Sequence, residues 1–95
     1  MARRVRLSTW YVRTASKTIR SGTPRGVGVG RTIATLAKAD ELPGPTDYEA
    51  SRKPLGRAWV RRVGGRNLWV WYRFNDDEVI LAAVTTEPPN PVDDE

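Results

Sequence analysis

Between Ala58 and Val84 the chain reads AWVRRVGGRNLWVWYRFNDDEVILAAV, and this stretch limits the fold more than any other. Two turn signals, Gly64-Gly65 and Asn75-Asp76-Asp77, divide it into three runs rich in Val, Ile, Trp, Tyr and Phe. Runs of β-branched and aromatic residues broken by such turns predict a meander of antiparallel strands. In the middle run, Asn67 to Phe74, successive side chains of a strand point to opposite faces. Leu68, Val70, Tyr72 and Phe74 then share one face, and Trp69, Trp71 and Arg73 share the other. The first set has the character of a core. The second is aromatic and cationic, so it calls for a covering layer or for a partner.

The segments before the meander supply the rest of the fold. Arg3 to Leu7 alternates basic and apolar residues, which predicts a short first strand with Val5 and Leu7 on one side. Ser8-Thr9 offers an N-cap, and Val12, Ala15 and Ile19 recur at spacings of three and four, predicting an amphipathic helix that ends near Ser21-Gly22. Gly22 to Gly26 has the composition of a turn, and the glycines at 26, 28 and 30 predict a flexible connection able to come close to a partner. Their spacing is neither that of a dinucleotide-binding turn nor that of a P-loop. Arg31 to Ala39 places Ile33, Leu36 and Ala37 on one helical face, and Asp40 to Pro45, with two prolines and a glycine, stops the helix. Thr46 to Pro54 is expected to be irregular. Beyond Val84 the sequence TTEPPNPVDDE carries three prolines and four acids, so residues 87–95 are expected to form an extended or disordered tail on a single domain spanning 1–86. The predicted class is α+β: a short N-terminal strand, then two helices packed on one face of an antiparallel sheet, leaving Trp69, Trp71 and Arg73 on the open face.

Composition excludes several kinds of chemistry. With 95 residues the chain has room for one core. It has no cysteine and no histidine, which removes disulfides, thiolate metal sites, the usual zinc ligands and the commonest general base. No cofactor and no metal site is expected. No apolar run approaches the roughly 20 residues that span a bilayer, and Met1-Ala2-Arg3-Arg4 leads into mixed sequence, so a soluble cytoplasmic protein with no membrane partner is expected. Charge is laid out in blocks: residues 1–39 hold nine bases and no acid, 40–50 four acids, 51–73 seven bases, and 74–95 seven acids. Most of the bases are arginine, whose planar fork suits phosphate, so a polyanion or an acidic protein segment is the partner this layout implies. A charged, well-solvated exterior is the bland alternative.

On these elements, and on the run Trp71-Tyr72-Arg73-Phe74-Asn75-Asp76-Asp77-Glu78-Val79-Ile80-Leu81, the chain resembles the RelE/ParE superfamily of bacterial type II toxins. In that family a strand ending in a Tyr-x-Val pattern is followed by an acidic turn and a valine-rich strand. The likeness extends over Val5 to Val84 and implies a toxin neutralised by a cognate antitoxin. RelE-like members cut messenger RNA on the ribosome, and ParE-like members poison DNA gyrase without being nucleases. In the nuclease branch, arginine and lysine on the open sheet face and an acid–base group near the C-terminus orient and activate the ribose 2′-hydroxyl. Carried onto this chain, the resemblance assigns catalytic positions to Arg62 and Arg73, with Arg61 replacing Arg62 if the hairpin register slips by one. Trp69 stands where the nuclease branch has an arginine, and Pro88-Pro89-Asn90-Pro91 offers no C-terminal tyrosine, so the resemblance leaves open whether any bond is broken.

The residues themselves also support a non-catalytic binder. Arg57, Arg61, Arg66, Trp69 and Trp71 form the expected nucleic-acid or partner-binding set, with rings for stacking bases and guanidinium groups for phosphates. Arginine is protonated at ordinary pH and cannot act as the base, and Tyr48, Tyr72, Glu49 and the acidic turn are the remaining acid–base candidates. Exposed tryptophans of this number make an apolar patch that an antitoxin segment, a homodimer mate or the proline-rich tail would cover. A toxin acting on RNA or gyrase, a nucleic-acid-binding module, and a phage- or plasmid-encoded adaptor are the three function classes that remain.

Overall fold

The computed structural model describes residues 2–20, 22–53 and 55–91. In chain order the elements are β1 (Arg4–Leu7), α1 (Thr9–Thr18), α2 (Pro24–Lys38), β2 (Tyr48–Arg52), β3 (Gly56–Arg62), β4 (Trp69–Phe74) and β5 (Glu78–Thr85). The strands form one sheet in the order β1-β5-β4-β3-β2, in which β1 runs parallel to β5 and the other neighbours are antiparallel. The expected α+β class and the three-strand meander hold. The sheet is mixed instead of antiparallel, because two helices intervene before the chain returns beside β1. It also gains a strand where an irregular connection was expected: Tyr48 to Arg52 pairs with β3 from Tyr48↔Val60 to Arg52↔Gly56.

The glycines at 26, 28 and 30 lie in the first turns of α2 and not in a loop. Thr23 caps this helix by accepting from the Gly26 N–H, and Pro24 occupies the first turn, where a missing N–H costs nothing. Each helical glycine costs about 1 kcal/mol relative to alanine. Burial of Val29, Thr32 and Leu36 against the sheet offsets that cost. Helix α1 starts as expected, with the Ser8 hydroxyl accepting from Tyr11 N–H, but ends at Thr18, short of Gly22. Its buried face runs through Tyr11, with Ala15 and Ile19 half-buried, and Val12 is exposed.

The larger core lies between the helices and one face of the sheet, and joins Tyr11, Val29 and Leu36 to Leu68, Val70, Tyr72, Val79, Leu81 and Val84. Leu81 and Val84 share this face although they are three residues apart. A register shift permits it: Trp71 pairs with Ala83 and Tyr72 with Leu81, leaving Ala82 as the extra residue of a bulge. The Ser8 hydroxyl donates to the freed Ala82 carbonyl at 3.1 Å, and the Thr14 hydroxyl accepts from Val84 N–H at 3.0 Å, so α1 is keyed to the bulge.

The opposite face of the sheet is closed as well, which corrects the expected open face. Trp71 is 1% exposed and Trp69 6%. Ala50, Ala58, Val60, Ala82 and Ala83 surround Trp71 in a second core, with small side chains leaving room for the indole. The end of the chain lies across this core. Pro89 is buried, its carbonyl accepts from the Tyr48 hydroxyl at 2.7 Å, and Pro91 bridges to Ala50. Residues 92–95, the acidic end of the expected tail, lie outside the described residues. No described helix is long and apolar enough to cross a membrane.

Candidate functional site

The sequence-predicted residues do not form one surface. Arg62 and Arg73 flank opposite ends of β4: Arg62 pairs with Trp69, and Arg73 lies four residues further along, roughly 13 Å at strand spacing. Arg62 stacks over the Trp69 ring at 5.6 Å and donates to the Arg66 carbonyl at 2.8 Å and to Asn67 Oδ1 at 3.2 Å. Arg73 donates to the Leu55 carbonyl at 2.6 Å and the Arg57 carbonyl at 3.1 Å, tying down the turn between β2 and β3. Arg57 pairs with Glu49 at 3.7 Å. The pairing of catalytic residues expected from the resemblance is therefore not assembled. Trp69 and Trp71 are buried rings and offer no stacking platform.

Arg61 is the clearest reassignment, from surface contact to the centre of an internal network. Its Nε–H donates to Asp47 Oδ1 at 2.7 Å and its Nη2–H to Asp47 Oδ2 at 2.8 Å. Asp47 Oδ2 also accepts from Gly44 N–H at 2.9 Å and from the Tyr72 hydroxyl. Burial alone would push the Asp47 carboxyl up. The bonds from Arg61, Tyr72 and Gly44, with the guanidinium charge, outweigh it and hold the pKa below the usual carboxylate value. The hydrogen bond to Asp47 raises the pKa of Arg61 in turn. Burial first, and then the bond to Asp47, raise the Tyr72 phenol, so it stays protonated and committed. Tyr48 is spent on Pro89 and its pKa is raised by burial. None of these groups is placed to take a proton from a bound hydroxyl.

One surface site is a groove of about 580 Å³ between α2 and the β3–β4 hairpin, lined by Arg31, Thr32 and Thr35 on one side and Arg61, Val63 and Arg66 on the other. Two local features bring the walls together. The hairpin closes through Val63 N–H to the Leu68 carbonyl at 2.8 Å and Arg66 N–H to the Val63 carbonyl at 3.0 Å, with Gly65 at φ +70° making the turn. Gly28 lets the hairpin press on the helix: a Cβ there would meet Val63 Cγ1 at 2.9 Å and the Arg66 side chain at 3.6 Å.

The hydroxyls of Thr32 and Thr35 are turned back on the carbonyls of Gly28 and Arg31, so the groove's free polar groups are cationic. Among the described residues, no hydrogen bond or ion pair engages the side chains of Arg31 and Arg66. This arrangement can hold phosphate or carboxylate oxygens, and no acid–base side chain stands among its described lining residues. Arg66 was among the expected binding residues, whereas Arg31 was read only as the start of a helix. The signal that could have found it was the glycine run beside it, taken as space for a neighbouring element instead of as flexibility. The acidic turn is a β-hairpin: Asn75 Oδ1 accepts from the N–H groups of Asp77 and Glu78, both at 2.8 Å. Among the described residues no group of three or more metal-ligating side chains occurs. Compared with known proteins, the chain matches no family model, no curated protein and no solved structure.

Proposed function

We propose that the chain is a growth-arresting toxin of the RelE/ParE kind, neutralised by a cognate antitoxin, that acts by occupying a polyanionic target surface and not by breaking a bond in it. The observation that carries this reading is the α2/hairpin groove, where, among the described residues, Arg31 and Arg66 stand unengaged and no acid–base group faces them. The element order supports the kinship: one strand, two helices, then antiparallel strands with the last returning beside the first. Cleavage through a ribose 2′-hydroxyl needs a proton acceptor and a donor for the leaving oxygen. Tyr48 on the edge strand β2 and Tyr72 on the central strand β4 are both committed to internal bonds.

Induction of the chain in a bacterial host tests this. Arrest is expected with transcripts intact, and the Arg31→Ala/Arg66→Ala double variant, folded by circular dichroism, is expected to lose it. Removing two phosphate contacts should also flatten the dependence of log affinity on log salt for a single strand by about 1.4. Transcripts cut at defined positions would restore the nuclease branch. Salt-sensitive binding of single strands without any arrest would favour the simple nucleic-acid-binding module. Absence of both would favour the adaptor.

A further inference from the structure

The face of the sheet that carries Trp71 holds a short proline segment in the manner of a receptor. Thr85 to Pro91 leaves the end of β5 and crosses β4 and β3 to reach β2. The indole N–H of Trp71 donates to the Thr85 hydroxyl at 3.0 Å, the Tyr48 hydroxyl donates to the Pro89 carbonyl at 2.7 Å, and the Pro89 ring is buried. Proline-rich segments are preorganised by their fixed φ and present carbonyls at regular intervals with no internal hydrogen bonds. An aromatic floor with a phenol or indole donor is therefore the complementary surface. Here Trp71 and Tyr48 supply that floor and that donor, and Pro88-Pro89-Asn90-Pro91 supplies the ligand.

The attachment is slight for a permanent element. Among the described residues, one side-chain hydrogen bond and one isolated bridge hold residues 88–91, and the ion pair between Arg52 and Glu87 is long, at 4.0 Å, with both groups well exposed. A space of about 250 Å³ stays open between the segment and the sheet, beside Trp71, Ser51 and Arg52. Among the described residues the ligand is thus tethered, leaves open space beside it and meets the sheet backbone at a single bridge.

We propose that this face is a binding groove for proline-rich extended peptides, filled in the isolated chain by its own Pro88 to Pro91 and opened by exchange to a segment of the same chemistry on a partner protein. The surface is separate from the α2/hairpin groove, and the proposal does not depend on the toxin reading.

The full-length chain with Asn90→Cys carries a single thiol, because the natural sequence has no cysteine, and a nitroxide there broadens the Trp71 indole N–H signal from the docked tail. Adding a synthetic peptide of residues 85–95 is expected to restore that signal and to shift the indole resonance. A peptide with the three prolines replaced by alanine should need at least tenfold more. In the full chain carrying Pro88→Ala, Pro89→Ala and Pro91→Ala, the proline peptide should bind at least tenfold more tightly, and adding Tyr48→Phe should undo the gain. No relief of broadening at millimolar peptide, or equal relief by the proline-free peptide, would overturn the proposal even if the triple variant failed to fold. A doubled mass in solution at raised protein concentration, with nitroxide-labelled chain broadening the Trp71 signal of an isotope-labelled chain that carries no nitroxide, would overturn the partner assignment and make the occupant a second copy's tail.

Discussion

Replacing Asp47 with asparagine tests the internal network at its centre. The carboxylate accepts from Arg61 Nε–H at 2.7 Å, Arg61 Nη2–H at 2.8 Å, Gly44 N–H at 2.9 Å and the Tyr72 hydroxyl, and its side chain is 0% exposed. An amide of the same shape removes the charge and, whichever way it is turned, aims its own N–H groups at donors. Arg61, with a side chain only 16% exposed, is left without its counter-charge. Removing one partner of a buried pair costs about 3–5 kcal/mol, a large part of the roughly 5–15 kcal/mol that holds a domain together. At about 4–8 °C per kcal/mol for a domain of this size, the Tm should fall by at least about 12 °C. The pH dependence fixes the cause. Because the folded pKa of Asp47 is depressed, its contribution is fully present above the unfolded value of about 3.9 and is lost as pH falls through the folded pKa. Urea titrations followed by tryptophan fluorescence at pH 7, 5 and 2 should therefore show a gap between wild type and Asp47→Asn that is constant from 7 to 5 and shrinks at 2. A gap under about 1 kcal/mol at pH 7, or one that does not shrink in acid, would refute the reasoning.

Other consequences follow from single positions. Gly30→Ala should raise stability by about 1 kcal/mol, since its Cβ would meet nothing within 4 Å, whereas Gly28→Ala should lower it, because the contact with Val63 at 2.9 Å costs about 1–3 kcal/mol against the same helical gain; thermal melts of the pair decide. Arg62→Ala should redden tryptophan emission by uncovering Trp69, at a cost of about 1 kcal/mol for the lost stacking. Arg62→Ala/Arg73→Ala should leave growth arrest in place, because both side chains hold the protein's own backbone, and loss of arrest in a folded double variant would return the site to this face. Val70→Asp should abolish the cooperative urea transition, as the residue is 0% exposed and an unpaired carboxylate there costs several kcal/mol.

Local signals in the sequence were enough for the elements whose cause is local. Ser8 as a cap, the two hairpin turns, and the alternation of Leu68, Val70 and Tyr72 each act within a few residues, and each element is found where its signal lies. Elements decided at long range were misread. Tyr48 to Arg52 becomes a strand because β3 offers it an edge, not because its own residues favour extension. The glycines of α2 belong to the same class: the helix is held by burial of Val29, Thr32 and Leu36 against the sheet, and at Gly28 the missing side chain leaves room for Val63, over thirty residues away in sequence. The covering of Trp71 by the proline-rich tail was one of three covers its residues allowed, and what selects it is the Tyr48 hydroxyl, 41 residues away in sequence from Pro89.

The charge blocks mislead about the site in a way the sheet explains. Within β3 and the hairpin, Arg61, Arg62 and Arg66 are close in sequence. Alternation sends Arg61 inward, where it lines the groove but is bound to Asp47, while Arg62 stacks on Trp69 and Arg66 alone of the three brings an unengaged guanidinium to the groove. A basic run on a strand is thus divided among destinations before it can act as a patch. The cation that joins Arg66 comes instead from the first block, because α2 crosses the hairpin at Gly28 and carries Arg31 one turn further on. Both sheet faces are closed, one by helices and one by the tail, so a polyanion that is to approach without displacing protein needs a groove at their margin, such as the one where helix and hairpin meet. Charge density along the chain implies an anionic partner, and on the proposed reading the arginines that would meet it are chosen by the contact between α2 and the hairpin.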